Sequence, residues 1–288
     1  MSSVESAVAL GAVRPRYRGA FWRLYKGEVG LILRRRRNLA LLSVLAVIPV
    51  LIGTAVYLSR PRAGDGPAFF GQITGNGLFL VFTALTVSLP VFLPLVVGVV
   101  AGDSIAGEAG SGTLRYLLTV PVTRGRLLAA KTLGVATFTA VAVLTVALVA
   151  LVTGAVLFGL GDVTLLSGDT VTLGAGLARA LGVTAYVVVA LFGLAAGGLF
   201  VSTLTENAIA AMATTVGLVV LSALLDAVPQ LSAVHGWLLT HNWAGFGELL
   251  RTNVDTAALV RWSGLHLAYA AVFLSLAWAR LQTKDITS

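Results

Sequence analysis

The sequence predicts an all-α integral membrane protein, with about six transmembrane helices, an amphipathic N-terminal helix lying on the membrane surface and a short amphipathic helix in a cytosolic loop. Three observations carry that prediction. The chain is 57% hydrophobic and 11% charged, with a mean hydropathy of +0.93, far more apolar than the ordinary globular mix of about 25% charged residues. Its apolar residues fall in runs of roughly 20, and a helix of that length, rising about 1.5 Å per residue, matches a hydrocarbon core of about 30 Å. Its basic residues gather at one end of those runs.

Residues 1–38 are read as a cytosolic N-terminal region. Within it, Tyr17 to Leu33 places Tyr17, Phe21, Leu24, Tyr25 and Ile32 near one helical face, with Arg16, Arg18, Arg23 and Lys26 mostly elsewhere. That pattern suits a helix lying on the inner leaflet. Two roles fit it equally: a docking element, or a basic anchor held by Arg34 to Arg37 on anionic lipid.

Residues 39–281 form the transmembrane region. Its runs are Leu39 to Leu58, Leu78 to Ala101, Thr132 to Leu160, Ala180 to Leu204, Ala208 to Leu225 and Trp262 to Ala279. Polar connectors separate them: an external Ser59 to Gly77 turn, a loop over 102–131, an external Gly161 to Gly176 loop, a short Thr205 to Asn207 turn and an external segment over 228–261. Residues 282–288 form a tail. Pro49 in the first run and Pro90 and Pro94 in the second each remove a helical N–H and predict kinks. Gly98 with Gly102, and Gly193 with Gly197, are pairs spaced for close helix approach, within the chain or across a dimer axis.

Charge sets the orientation. With these spans, one side collects Arg14, Arg16, Arg18, Arg23, Lys26, Arg34 to Arg37, Arg115, Arg124, Arg126, Lys131, Arg280 and Lys284, fifteen of the 20 basic residues. The positive-inside rule then places both termini in the cytoplasm of a multi-pass plasma-membrane protein. Topology and anionic headgroups account for the net charge of +8, so nucleic acid is not expected as a partner and membrane lipid is. The first run is too long, and its charged leader too long, for a signal peptide. Cysteine is absent, which excludes disulfides and thiolate metal sites.

The 102–131 loop is the only long polar interruption with basic residues behind it. Gly107 and Gly110 to Gly112 supply flexibility, and Thr113 is placed to cap a helix. Leu114, Leu117 and Leu118 then share a face beside Arg115 and Tyr116, and Pro121 ends the helix. Leucines turned to the cytosol need a partner to cover them; a loop packed on its own helix ends fits the composition equally. Gly125 to Thr132 mimics a phosphate loop but has Ala130 where the second glycine is required and follows no strand, so no nucleotide is expected to bind there.

The run Glu108-Ala-Gly-Ser-Gly-Thr-Leu-Arg-Tyr-Leu-Leu-Thr-Val-Pro-Val-Thr-Arg124, followed by Lys131, resembles the signature of ABC transporter permeases of the type-two (exporter, type V fold) class. Weaker likenesses are Ser202 to Ala208, at the second inner turn, and Arg280 to Ile286, at the tail. The resemblance implies that the loop helix is the coupling helix seated in a groove of a cytosolic ABC ATPase. It implies two such ATPase copies, a second permease subunit making a homodimer or heterodimer, and ATP and Mg held by the ATPase and not by this chain. Glu108, Arg115 and Arg124 would lie at the rim of the docking site, Leu114, Leu117 and Leu118 at its apolar centre, with Thr113 and Pro121 bounding the helix. ATP-driven closure of the ATPases would move these helices as rigid bodies and switch a central path.

That reading makes the chain a permease subunit, not an enzyme, exporting a hydrophobic or amphipathic substrate such as a drug, antibiotic or lipid-like compound. Thr83, Thr86, Ser88, Thr214, Thr215 and Ser222 are the candidate path-lining residues, mildly polar among aliphatic neighbours. Two alternatives stand beside it: an ion-coupled secondary transporter, against which Glu206 and Asp226 fall at span ends, and a non-transporting scaffold. His235 and His241, with Trp237 and Trp243, read as an interfacial or re-entrant helix anchored by aromatics, because the sequence spaces no third metal ligand beside them. His266, one turn inside the last run, is expected to hydrogen-bond a neighbouring helix.

Overall fold

A computed structural model describes residues 19–59, 74–111, 123–165 and 167–283. In chain order it contains α1 (Ala20–Arg34), α2 (Arg36–Ser59), α3 (Phe79–Ser88), α4 (Phe92–Gly110), α5 (Arg124–Phe158), the strands β1 (Val163–Thr164) and β2 (Thr170–Val171), α6 (Leu173–Leu204), α7 (Ala208–Asp226), a single turn α8 (Ser232–His235) and α9 (Thr256–Thr283). Six of these helices, α2, α4, α5, α6, α7 and α9, are long and apolar enough to cross a membrane. The chain is an all-α integral membrane protein whose sheet content, among the described residues, is one two-stranded antiparallel hairpin pairing Val163 with Val171.

Several helices outrun the apolar runs that predict them. α5 begins at Arg124, eight residues before Thr132, and α9 begins at Thr256, six before Trp262. Apolarity marks the hydrocarbon, whereas backbone hydrogen bonding continues into water and the headgroups. Much of the 102–131 loop is therefore helical: residues 102–110 complete α4 and residues 124–131 open α5.

The second apolar run is not one helix. α3 stops at Ser88 and α4 resumes at Phe92, with Pro90 in the intervening turn and Pro94 just inside α4. Pro90 has no N–H to offer Thr86 O and so ends α3, whereas Pro94 sits in the first turn of α4, where its N–H would have no partner within the helix. In contrast, Pro49 is accommodated within a continuous α2.

α6 is the centre of the bundle. Some 72% of its apolar window is buried, against 17% for α9 and 22% for α2 and α7, which turn most of their surface outward. α6 packs most extensively on α9 and α4; α4 also lies along α7, and α5 packs on α2, α1 and α3. The glycine pairs make these approaches possible. A Cβ on Gly102 would lie 2.8 Å from Met212 N on α7, and one on Gly193 would lie 3.1 Å from His266 O on α9. Both pairs serve packing within the chain. At the far end of the bundle Gly77 and Gly154 meet backbone to backbone, with Gly77 N donating to Gly159 O at 3.0 Å.

The segment over 228–261 is not a single tilted helix. It consists of a 3-10 turn at Pro229–Leu231, the one turn α8, and a longer 3-10 stretch at Trp243–Leu250 that folds back onto α6. Trp243, Phe246 and Leu250 are buried there, whereas Trp237 is exposed, so one of the two tryptophans expected at the interface is a core residue. Tyr186 Oη donates to Asn242 O and Arg179 to the carbonyls of Leu249 and Arg251, fastening the stretch to α6.

Candidate functional site

The densest polar cluster among the described residues lies where α1, α4 and α5 meet, at the two ends of the 111–123 connection. Lys131 is fully buried on α5. Its ammonium donates to Glu28 Oε1 of α1 at 3.1 Å and to the carbonyl of Ser104 at 2.9 Å, and lies 2.8 Å from Glu108 Oε2 of α4. Beside it Asp103, 6% exposed, takes Arg35 Nη1 and, at 2.8 Å, Arg37 Nη2 on one carboxylate oxygen. Three cations thus face three carboxylates. Lys131, Glu28 and Asp103 are the buried members, and charges so placed persist only when paired and hydrogen-bonded.

Local sequence explains the arrangement. Glu28 falls on the same stripe of α1 as Tyr25 and Ile32, the face turned to α5, where Tyr25 Oη and Thr137 Oγ1 are 2.8 Å apart. Gly134 lets that face approach, since a Cβ there would meet Glu28 Cγ at 2.8 Å. Tyr17 lies outside the described residues; of the other residues expected on the apolar face, Ile32 is buried and Phe21, Leu24 and Tyr25 are half-buried, while Trp22 and Leu31 are exposed. The chain turns at Arg35, whose backbone is extended (φ −67°, ψ 124°), and Asn38 Nδ2 ties α2 back to Ile32 O at 2.9 Å. Arg35 and Arg37 are thereby turned toward Asp103, so half of the Arg34 to Arg37 run serves an internal ion cluster. A cleft of about 1220 Å³ runs between α1 and α4, with Arg23, Lys26 and Arg34 on its walls.

The second inner turn is part of the same region. A Cβ on Gly110 would lie 2.5 Å from Glu206 O, so the end of α4 rests on the α6–α7 turn. Asn207 caps α7 by accepting from Ile209 N and Ala210 N. Ser202 reaches from α6 into α4: its hydroxyl donates to Gly102 O at 2.6 Å and accepts from Ile105 N and Ala106 N at 2.9 and 2.8 Å. Gly102 O and Ala106 N are the partners of one α-helical bond, so the hydroxyl stitches α4 at the level of Asp103.

Arg124 caps the end of α9. Its Nη1 donates to Leu281 O at 2.6 Å and Gln282 O at 2.8 Å, where orphan carbonyls end α9. Glu108 stands in the Lys131 cluster. Thr113, Leu114, Arg115, Leu117, Leu118 and Pro121 lie outside the described residues. Residues 125–131 of the phosphate-loop mimic are helical, and Lys131 is committed to carboxylates.

The path candidates differ in burial. Thr83, Ser88, Thr215 and Ser222 are buried, Thr86 is half-buried and Thr214 is exposed. Thr83, Thr86 and Thr215 bond carbonyls of their own helices, and Ser222 pairs with Thr240. His266 departs from expectation: it is fully buried, yet neither ring nitrogen has a hydrogen-bond partner among the described residues. The histidine pair departs too, because α7 brings Asp226 alongside as a third potential ligand.

The family described as a protein of unknown function (DUF2705) matches residues 46–287. Over 113 residues the chain is 34% identical to a probable ABC transporter permease protein NosY of Pseudomonas aeruginosa, covering 39% of this chain and 38% of that protein. Over 123 residues it is 32% identical to a protein of the same name from Stutzerimonas stutzeri, covering 43% and 41%. The matched stretch spans about two fifths of the length of each relative.

Proposed function

The chain belongs to the family described as a protein of unknown function (DUF2705), and on that footing we propose that it is the membrane-spanning permease subunit of an ATP-driven ABC exporter. The observation that carries the reading is the Lys131 cluster. It joins both ends of the signature-bearing connection to each other and to α1, so that a push delivered at the connection reaches three helices together. The signature over Glu108 to Arg124 and the partial likeness to proteins named as ABC permeases support it.

On this reading α1 and the 111–123 connection face the cytosol, and Leu114, Leu117 and Leu118 seat in a separate ATPase subunit that holds ATP and Mg. Thr113 and Pro121 bound that helix, and Arg115 lies at its rim. Two permease subunits and two ATPases make the working unit. The substrate is hydrophobic or amphipathic, because the candidate path residues Thr83, Thr86, Ser88, Thr214, Thr215 and Ser222 bring hydroxyls and no charge.

The test is affinity purification from the native membrane of the wild type beside a Leu114→Asp, Leu117→Asp double variant. An ATP-hydrolysing subunit that accompanies the wild type and is missing from a stably folded variant is the expected result. A well-folded wild type that brings no such subunit overturns the proposal and favours a secondary transporter or a scaffold.

A further inference from the structure

We propose that Asp226, His235 and His241 form a binding site for one divalent transition-metal ion of the zinc type, at the end of α7 remote from α1. The inference does not depend on the transport reading. One ligand atom from each of the three residues lies within 4.8 Å of the other two. His241 Nδ1 is 2.6 Å from Asp226 Oδ1, and His235 Nδ1 is 3.8 Å from the same oxygen. A tetrahedral ion with bonds of about 2.0–2.2 Å needs its ligand atoms about 3.4 Å apart, so small side-chain rotations suffice to receive it.

The hydrogen bonding prepares one of the ligands. His235 Nε2 is 3.0 Å from Val228 O, and a carbonyl only accepts, so the neutral imidazole carries its proton on Nε2. Its Nδ1 therefore presents a lone pair toward a carboxylate oxygen, an arrangement of two acceptors that a cation between them turns from repulsive to attractive. A carbonyl that fixes the tautomer from the far side of the ring is the outer-shell device of metal-ligating histidines. His241 is braced in turn, because the preceding Thr240 is held to α7 through Ser222, with Thr240 N donating to Ser222 Oγ at 3.2 Å and the two hydroxyls 2.9 Å apart.

Two imidazoles and one carboxylate select zinc or a neighbouring borderline ion over calcium or magnesium, which prefer all-oxygen sites. Three protein ligands leave a fourth position open to water or to a group from outside. His235 is on α8 and Asp226 on α7, so the ion would pin the irregular segment to the helix end.

The experiment uses the full chain, purified in detergent with a tag free of histidine, stripped with chelator and dialysed. Zn2+ is titrated by calorimetry, and Co2+ is followed by visible absorption as a report of coordination number and geometry. The expected result is about one Zn2+ per chain, with affinity falling at least about tenfold in His235→Ala, His241→Ala and Asp226→Asn. Equal binding by the wild type and a His235→Ala, His241→Ala double variant overturns the site, as does no uptake by the wild type. Should the variants fail to fold, the wild-type Co2+ spectrum decides: visible ligand-field bands of a four- or five-coordinate ion support the site, and the spectrum of hydrated cobalt overturns it, leaving the cluster a histidine–carboxylate hydrogen bond alone.

Discussion

The ammonium of Lys131 lies 2.8 Å from a carboxylate oxygen of Glu108, so the helices on either side of the 111–123 connection are clasped together just before it begins and just after it ends. The clasp is buried and shared with Glu28, and its removal has a defined sign.

Lys131→Met leaves the carboxylates of Glu28 and Glu108 buried without their cation, and is expected to destabilise the fold by about 3–5 kcal/mol. The triple variant Lys131→Met, Glu28→Gln, Glu108→Gln removes all three charges and is expected to recover most of that loss. Denaturation midpoints of the two variants in the same detergent check the pair; a single variant as stable as wild type would show that the cluster carries no strain of this kind.

Glycine substitutions are expected to separate by what a Cβ would meet. Gly102→Ala drives a methyl into the backbone of Met212 and should cost about 1–3 kcal/mol as α4 and α7 are forced apart. Gly217→Ala, on α7 with nothing within 4 Å, should stabilise by about 0.5–1 kcal/mol through better helix propensity. Thermal unfolding of the two single variants compares them directly.

Arg124→Gln is expected to loosen the end of α9 while leaving global stability within about 1 kcal/mol, because the guanidinium caps carbonyls near the surface. Hydrogen exchange should quicken over residues 279–283 and stay unchanged in α6. Unchanged protection at 279–283 would mean that water replaces the guanidinium at no cost.

Ser202→Ala is expected to be mild in stability, since Gly102 O and Ala106 N can then bond each other as ordinary helical partners. The effect should instead appear as lost coupling between α4 and α6: a double-mutant cycle with Gly198→Ala, whose new Cβ would lie 2.7 Å from Ala101 Cβ, should be non-additive by about 0.5 kcal/mol or more.

The membrane class and the spans were legible because hydrocarbon imposes an unambiguous demand: a helix facing lipid must be apolar over its whole crossing. The glycine pairs were legible as close approaches for the same steric reason, although spacing alone could not name the partner helix. The ion cluster was only half visible. Lys131 and Glu108 stood out within a signature, whereas Asp103 and Glu28 belong to no motif. Glu28 did carry a usable signal, as the sole acid of α1 on a stripe with Tyr25 and Ile32; Arg35 and Arg37 were hidden because a run of four arginines reads as a headgroup anchor. Asp226 was missed as a companion of the histidines because it precedes them by nine and fifteen residues across a turn that follows no helical or strand period. Trp243 shows the same limit: an aromatic near an expected interface has one sequence pattern whether it faces lipid or, as here, the core.

The interruption between α3 and α4 has a mechanical consequence. α4 is long enough to cross by itself, but its second half carries Asp103 and Glu108, so the apolar run continues upstream through α3 and the break at Leu89 to Val91 falls inside it. A continuous helix resists bending through its ladder of backbone bonds, and here the ladder is interrupted at Pro90, which has no N–H to give. The Ser88 hydroxyl beside the break is buried and finds no hydrogen-bond partner among the described residues. This crossing is therefore two rods joined by a turn, α3 resting on α5 and α4 on α6 and α7, and the bend between them is set by those neighbours and not by a shared backbone ladder.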